Sequence, residues 1–319
     1  MDSYYDIKRV SSSSLKWFEM SPRYFKLKFD GAIEEEDQFK YKKGKIIHFL
    51  TLEPSKFDEE YMVLDYSIPK SQQQIAFCDH VARYKEDSEE ELLLRAYKNA
   101  YVAKEKDEII LEKARLLVNT HKDYIQFIKN STTKSVITKE YYDYLMNIKS
   151  SLFNHKIAKQ LLFKDERNMF KSNNEYQSFT EYPIFWDYQN GVPCKSMIDK
   201  LIIDHENKII KLVDLKTSSD IYDFKNKIQE YKYYRQLSFY WKAIESEFPE
   251  LSEYSRETYI VAVNTKEPFE VLVYSVSNDT LEKGNKEIHE IMTKLKWHFD
   301  KDLWEYDIEY YEGTGIETI

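Results

Sequence analysis

KLVDLKTSSD, residues 211–220, decides how this chain is read. Lys211-Leu212-Val213 has the character of the end of a buried strand. Asp214 and Lys216 then stand two residues apart just beyond the apolar run, before Thr217-Ser218-Ser219-Asp220 breaks it. A carboxylate and an ammonium in such a setting cost free energy unless they are paired or bind something. The segment is therefore either a strand running out into solvent or a site.

Upstream, SFTEYPIFWDY (178–188) alternates like a strand and ends at the turn Gln189-Asn190-Gly191, and PCKSMIDKLII (193–203) reads as a second strand. The polar turn DHENK joins it to the third, IIKLVDLKT. If Ile203 pairs with Lys208, Asp214 sits opposite Met197, and period-two alternation places Met197, Asp199, Asp214 and Lys216 on one face. Asp199 is then a diagonal neighbour of Asp214, with Cβ atoms roughly 7–8 Å apart. That spacing suits two carboxylates bridged by a hard cation, whose oxygen ligands lie at about 2 Å for Mg²⁺. Left bare, the pair would repel. Lys216 on the same face could orient a water or stabilise charge building on a phosphate.

The surrounding chain frames this hairpin. Ser13 or Ser14 is expected to cap a first helix, LKWFEM, and Ser21-Pro22 to start a second that stops near Asp30-Gly31. A third is expected over 38–52, ending at Glu53-Pro54. Residues 73–163 read as helix-rich and highly charged. Beyond the hairpin come a long helix at 222–247, two strands (TYIVAVN and FEVLVYSV), and a last helix from a Ser277 or Asp279 cap to about residue 300. This order predicts an α/β fold, a mixed sheet flanked by helices. We expect one domain over 1–319: N-terminal helices (1–70), a helical insertion (71–165), the catalytic sheet and helices (166–300) and a C-terminal tail (301–319).

Composition excludes several classes. With 42% hydrophobic and 32% charged residues, six Gly and seven Pro, the 319-residue chain is globular rather than disordered or fibrous. No apolar stretch reaches the ~20 residues of a membrane span, and MDSYYDIKRVSSSS has no signal-peptide core. Cys78 and Cys194 form no CxxC and cannot supply a four-thiolate zinc or iron–sulfur site. A reduced, cytoplasmic protein is expected. The net charge of −9 argues against a nucleic-acid partner in general, but weakly for a site that reaches phosphate through bound cations. Charge is also uneven: SPRYFKLK (21–28) and KYKKGK (40–45) are basic and EDSEEE (86–91) is acidic.

Two further pairs stand four apart on helices and so share a face: Gly44 with His48 in GKIIHFLTLEP, and Gln236 with Tyr240 in YRQLSFYW. The glycine would let another backbone approach, leaving His48 to face a metal or phosphate. A packed histidine and an aromatic helix face are the plainer readings.

Taken in order, G-x-x-x-H, Asp199, D-L-K-T and Q-x-x-x-Y resemble the PD-(D/E)xK nuclease superfamily, in the branch of RecB-type domains and RecE-like (exodeoxyribonuclease VIII-type) phage exonucleases. SSSSLKWFEMSPRYFK and GKIIHFLTLEPSKFDEEY are similar to that branch's N-terminal helices and its His-bearing helix with a Leu-Glu-Pro turn. The likeness covers roughly residues 10–62 and 175–275. It implies that Asp199 and Asp214 are metal ligands, joined by His48 and the backbone carbonyl of Leu215, with Lys216 as catalytic lysine. Gln236 and Tyr240 would hold the site or the DNA, and Glu181 in TEYPIFW would support it. Met197 stands where many relatives carry arginine, and Ser21 replaces the cysteine of the iron–sulfur subgroup, so no iron–sulfur cluster is expected. The resemblance implies a Mg²⁺-dependent exonuclease, with Mn²⁺ able to substitute. It would act on linear double-stranded DNA ends, 5′ to 3′, in phage-type recombination. A homo-oligomeric ring of three or four subunits and a single-strand annealing recombinase partner are implied too. The alternatives are a structure- or site-specific endonuclease of the same fold and a non-catalytic DNA-binding relative.

Overall fold

The computed structural model describes residues 4–33, 39–64, 68–130, 134–163, 176–189 and 191–315, with side chains from Lys43 onward in the third helix. The expected turn residue Asn190, the 165/166 boundary and the last four residues of the tail lie outside the described residues. Contacts divide the chain into two compact units, Met1–Glu53 with Ile148–Ile319 and Pro54–Asn147.

The first unit opens with α1 (Ser12–Met20) and α2 (Pro22–Phe29). Ser11, rather than Ser13 or Ser14, caps α1, because Ser11 and Ser14 close a capping box that needs the cap three residues ahead of its partner. Ser21 caps α2 with Pro22 in its first turn, as expected, and Gly31 takes the left-handed conformation just past its end. Helix α3 (Phe39–Leu52) follows and stops before Glu53-Pro54.

The second unit holds α4 (Pro54–Glu60), β1 (Tyr61–Leu64), α5 (Gln72–Arg83), α6 (Glu89–Tyr101), α7 (Asp107–Thr120), α8 (Lys122–Asn130) and β2 (Ser135–Thr138). It is not purely helical: β1 and β2 pair in parallel, Tyr61 with Ser135 through Leu64 with Thr138. Its core gathers Phe77, Cys78, Leu93, Ala96, Ile110, Ala114 and Ile125. His121, at the C-terminal end of α7, is buried at 6% exposure with neither ring nitrogen hydrogen-bonded among the described residues. Burial pushes its pKa below the ordinary value. The unfolded chain then binds a proton near pH 6.5 that the folded unit resists, so this residue erodes stability as the pH falls below about 6.5. Replacing His121 with Leu is expected to raise the urea midpoint at pH 7. The gap between variant and parent should widen towards pH 5.5. A gap that stays constant or narrows would mean the imidazole is partnered.

Helix α9 (Lys139–Asn154) leads back to the first unit, where α10 (Lys156–Leu162) precedes a five-stranded sheet. Its strands are β3 (Tyr176–Asp187), β4 (Pro193–Asp204), β5 (Ile209–Ser218), β6 (Ser255–Asn264) and β7 (Val271–Ser275), in the order β3-β4-β5-β6-β7. Only β5 and β6 run parallel. That makes the sheet mixed, as the sequence implies. The expected long helix over 222–247 is two, α11 (Phe224–Glu230) and α12 (Tyr233–Glu247), broken at Lys232 with φ 53°. The break starts α12 afresh with Lys232 and Arg235 both reaching Glu19 on α1. Helix α13 (Asn278–Lys301), capped by Ser277, lies against α12 so closely that a Cβ on Gly284 would come within 3.0 Å of Ser238 Cβ. Within the tail, α14 (Ile308–Glu312) is a short helix. Leu212, Leu201, Ile260, Leu237, Phe239 and Met292 form the core between sheet and helices. No helix among the described residues is long and apolar enough to cross a membrane.

Candidate active site

The hairpin register differs from the sequence expectation by two residues. Ile203 pairs with Ile210, not Lys208, and the last pair of the ladder is Lys200 with Val213. The reason lies in the turn. Asp204 still pairs with Ile209, its carboxylate accepts the Asn207 N–H at 3.0 Å, and Lys208 turns left-handed at φ 53°. An even shift preserves the faces, but it sets Asp199 and Asp214 level with each other, one step past the last pair, instead of diagonal.

At that step β4 and β5 part. The Asp199 carboxylate replaces the missing ladder partner, accepting the Leu215 N–H at 2.8 Å. The freed edge of β4 is taken by the N-terminal segment: Val10 N–H donates to Pro193 O and Lys195 N–H to Val10 O. The fork leaves Asp199 (7% exposed) and Asp214 (0%) inside the fold.

Four elements deliver side chains to it. From α3, His48 places Nε2 2.9 Å from Leu215 O. A carbonyl can only accept, so Nε2 carries the hydrogen. Nδ1 then faces two carboxylates, Glu181 Oε1 at 3.3 Å and Asp199 Oδ2 at 3.9 Å. From β3 comes Glu181, whose φ of 45° is left-handed inside a strand, a conformation a non-glycine side chain adopts at a cost of roughly 1–3 kcal/mol. The ladder skips it, pairing Thr180 with Lys200 and Tyr182 with Ile198. From β5, Lys216 Nζ donates to Asp214 Oδ1 at 2.7 Å and lies 5.2 Å from the centre of the Tyr233 ring. From α12, Gln236 Nε2 donates to Tyr240 OH at 2.7 Å and to Asp214 Oδ1 at 3.3 Å.

Electrostatics set the character of the cluster. Burial raises the pKa of Asp214 to about 6 and Asp199 adds to it, against the pull of Lys216 and His48. Asp199 is raised as well, first by burial. For His48, burial alone would lower the pKa, but Asp199 and Glu181 outweigh it and the net direction is up. For Lys216 burial again opposes, yet Asp214 and Asp199 carry its pKa well above the ordinary value. The ammonium form, which donates hydrogen bonds, is the one these carboxylates favour.

This donor set fits a divalent cation. His48, Glu181 and Asp199 offer ligand atoms within 4.8 Å of one another. Asp214 Oδ2, fully buried, has no hydrogen-bond partner among the described residues, and buried carboxylate oxygens are rarely left so. Carboxylates and an imidazole, with the Leu215 carbonyl alongside, are ligands that a hard or borderline cation accepts.

All the residues singled out in the sequence meet here: His48, Glu181, Asp199, Asp214, Leu215, Lys216, Gln236 and Tyr240. Two details differ. Gly44 does not admit a neighbouring backbone, since a Cβ there would meet only the Thr217 hydroxyl at 3.4 Å, an ordinary contact. Glu181 stands beside His48 and Asp199 rather than behind them. Its strained backbone had no signal in TEYPIFW, because a left-handed residue inside a strand is set by its surroundings.

No curated protein matches this chain. Among solved structures, it is similar to a "Putative exonuclease" from Eubacterium rectale, at 11% identity over 90% of this chain and 95% of that one, with a TM-score of 0.37. It is also similar to SSO0001, at 12% identity over 69% and 84% of the two chains, with a TM-score of 0.24. Likenesses this loose carry no weight for activity. The family description is another matter, matching residues 11–310, nearly the whole chain and every element that builds the fork. The chain belongs to the PDDEXK-like domains of unknown function, DUF3799.

Proposed function

We propose that this protein is a metal-dependent deoxyribonuclease, an exonuclease that hydrolyses phosphodiester bonds from linear double-stranded DNA ends. The observation that supports it most is the orphaned Asp214 Oδ2, fully buried beside Asp199, with the Lys216 amine 2.7 Å from the other oxygen of the same carboxylate. His48, Glu181, Asp199, Asp214 and the Leu215 carbonyl would hold the cation, with Mg²⁺ the expected ion and Mn²⁺ a substitute. When bound, it would polarise the phosphate and lower the pKa of a water. The chain's own part is positional. Lys216 offers hydrogen bonds to a negatively charged oxygen in a largely buried site, where such a donor is worth more than in solution. Gln236 and Tyr240 hold Asp214 in place.

The RecE-like assignment, 5′-to-3′ polarity, a ring of three or four subunits, an annealing recombinase partner and a phage or prophage setting in a bacterial cytoplasm rest on the resemblance of the N-terminal motifs and are part of the same proposal.

The test uses linear and covalently closed circular duplex DNA, labelled at either the 5′ or the 3′ end where ends exist, with Mg²⁺ or EDTA. Mg²⁺-dependent loss of the linear form alone, absent in Lys216→Ala, is the expected result, and early release of the 5′ label gives the polarity. Cutting of the closed circle would replace the exonuclease with an endonuclease. No cleavage with Mg²⁺ or Mn²⁺ would leave a fold kept for binding.

A further inference from the structure

Beside the fork that holds Asp199 and Asp214 lies a cleft. A cavity of about 560 Å³ lies where the N-terminal segment, α1 and β4 meet. Gln236 and Tyr240 are among its lining residues, and Gln236 touches Asp214 at 3.3 Å, so a single side chain separates the cleft from the acidic cluster. The charges around it are opposite to those of the chain as a whole. In a protein of net charge −9, the cleft is lined by Lys8, Arg9, Lys16, Lys28 and Lys195, with no carboxylate among the described lining residues.

These cations are not equivalent. Lys195 is committed to the fold: its ammonium is clasped by the Tyr4, Tyr5 and Ile7 carbonyls at 2.9, 3.3 and 2.7 Å, which pins the N-terminal segment along the cleft. Arg9 binds Asp187 at 3.1 Å and the Trp186 carbonyl. Lys8 stands 4.0 Å from Asp30, both exposed. Lys16 is exposed on α1 and surrounded mainly by cations. Partial desolvation of its ammonium comes first in holding its pKa below the lysine range, and Lys216, Arg235 and Lys232 push the same way against Glu19. An anion placed in the cleft would relieve that repulsion. The walls are also aromatic. Tyr5 is 76% exposed and stands edge-on to Tyr4, with ring centres 5.4 Å apart.

A cationic groove with interleaved aromatic faces is the chemistry that holds an unpaired polynucleotide, whose backbone is tracked by the charges while bases stack on the rings. A base-paired duplex, its bases stacked on one another, presents no free base faces to Tyr5. We propose that the cleft binds one unpaired nucleic-acid strand, with backbone phosphates on Lys8 and Lys16 and a base on Tyr5, and delivers it to the Asp199–Asp214 cluster. The inference builds on the nuclease reading by naming the form of substrate that the same site receives.

The test is binding of a fluorescent single-stranded oligonucleotide to the full chain in EDTA, where no hydrolysis interferes, across a salt series. A hairpin duplex of the same length is the comparison. The parent is expected to prefer the single strand. In Lys8→Gln/Lys16→Gln, affinity should fall at least tenfold and the slope of log affinity against log salt should shrink by about 1.4, that is ~0.7 for each lost phosphate contact. Tyr5→Ala should lose about fivefold or more in affinity with the slope unchanged. All three side chains are exposed, so folding is not at stake. Equal binding of duplex and single strand, or unchanged affinity and slope in the variants, overturns the inference. The nuclease reading fails separately. Strand binding that obeys these changes without hydrolysis in any metal would sink that reading alone. Hydrolysis that ignores all three substitutions would sink the cleft alone.

Discussion

Asp199→Asn is expected to abolish hydrolysis while making the metal-free protein more stable. In EDTA, the cluster of Glu181, Asp199 and Asp214 is short of positive charge, and burial together with its neighbours raises the Asp199 pKa. A group raised in this way favours folding in its protonated form, and that contribution disappears as the pH climbs through the folded value. At pH 7 the neutral amide stands in for that form and can still accept the Leu215 N–H. The thermal midpoint in EDTA should therefore rise. With Mg²⁺ or Mn²⁺ the order should reverse. A cation at a hundred times its dissociation constant adds about 2.7 kcal/mol to the parent, or roughly 5–11 °C for a body of this size. The variant, short of one ligand, should gain little of that increment. Its turnover of linear DNA should drop by about a thousandfold or more, as when preorganised charge stabilisation is removed. A parent whose midpoint ignores divalent cations would contradict the metal assignment, whatever its activity.

The second large effect concerns stability alone. Arg235 is one of the largest fully buried side chains, and Glu19 grips it through two hydrogen bonds of 2.6 Å, tying α12 to α1. Glu19 also accepts from Lys232 at 2.7 Å. Burial alone would raise the Glu19 pKa, but the hydrogen bonds from Arg235 and Lys232 outweigh it and hold the carboxyl below its usual range. Removing one member of such a pair leaves an uncompensated buried charge, at a cost of about 3–5 kcal/mol. Glu19→Ala should fall near the low end, since Glu287 Oε2 lies 3.7 Å from the guanidinium. Arg235→Met should cost less despite deleting the larger side chain, because Glu19 is part-exposed and keeps Lys232. Urea midpoints at pH 7 would show the order. If Arg235→Met is the more damaging, packing of the arginine stem rather than its charge holds α1 to α12.

The elements most legible in the sequence are those whose signals are local. Ser21-Pro22 starts α2, Glu53-Pro54 stops α3, Ser277 caps α13, and the alternation in PCKSMIDKLII and IIKLVDLKT marks strands. Each follows from backbone sterics, a side-chain cap or a period of two, which a few neighbouring residues establish. The first cap was misplaced by two or three residues because four consecutive serines offer equivalent hydroxyls. Lys232 left no trace either. Nothing in EYKYYRQ distinguishes a continuous helix from one interrupted by a single left-handed residue, and its side chain reaches Glu19 some 213 positions away.

The candidate site divides along the same line. Period-two alternation was enough to put Asp199, Asp214 and Lys216 on one face, whereas His48, Gln236 and Tyr240, which lie on helices, were named as site residues only through the resemblance of their motifs. What the tertiary structure decided was how they meet. The turn at Asp204–Lys208 set the register, the parting of β4 from β5 let Asp199 cap the Leu215 N–H, and the left-handed backbone at Glu181 brought a third carboxylate to His48. The cleft belongs to the same class of feature, since the N-terminal segment comes to line it through Val10 joining the open edge of β4 and Lys195 clasping the Tyr4, Tyr5 and Ile7 carbonyls. Types and periods are properties of short stretches. The positions of buried charges depend on which backbone groups are left without partners, and that is known only once the sheet has formed.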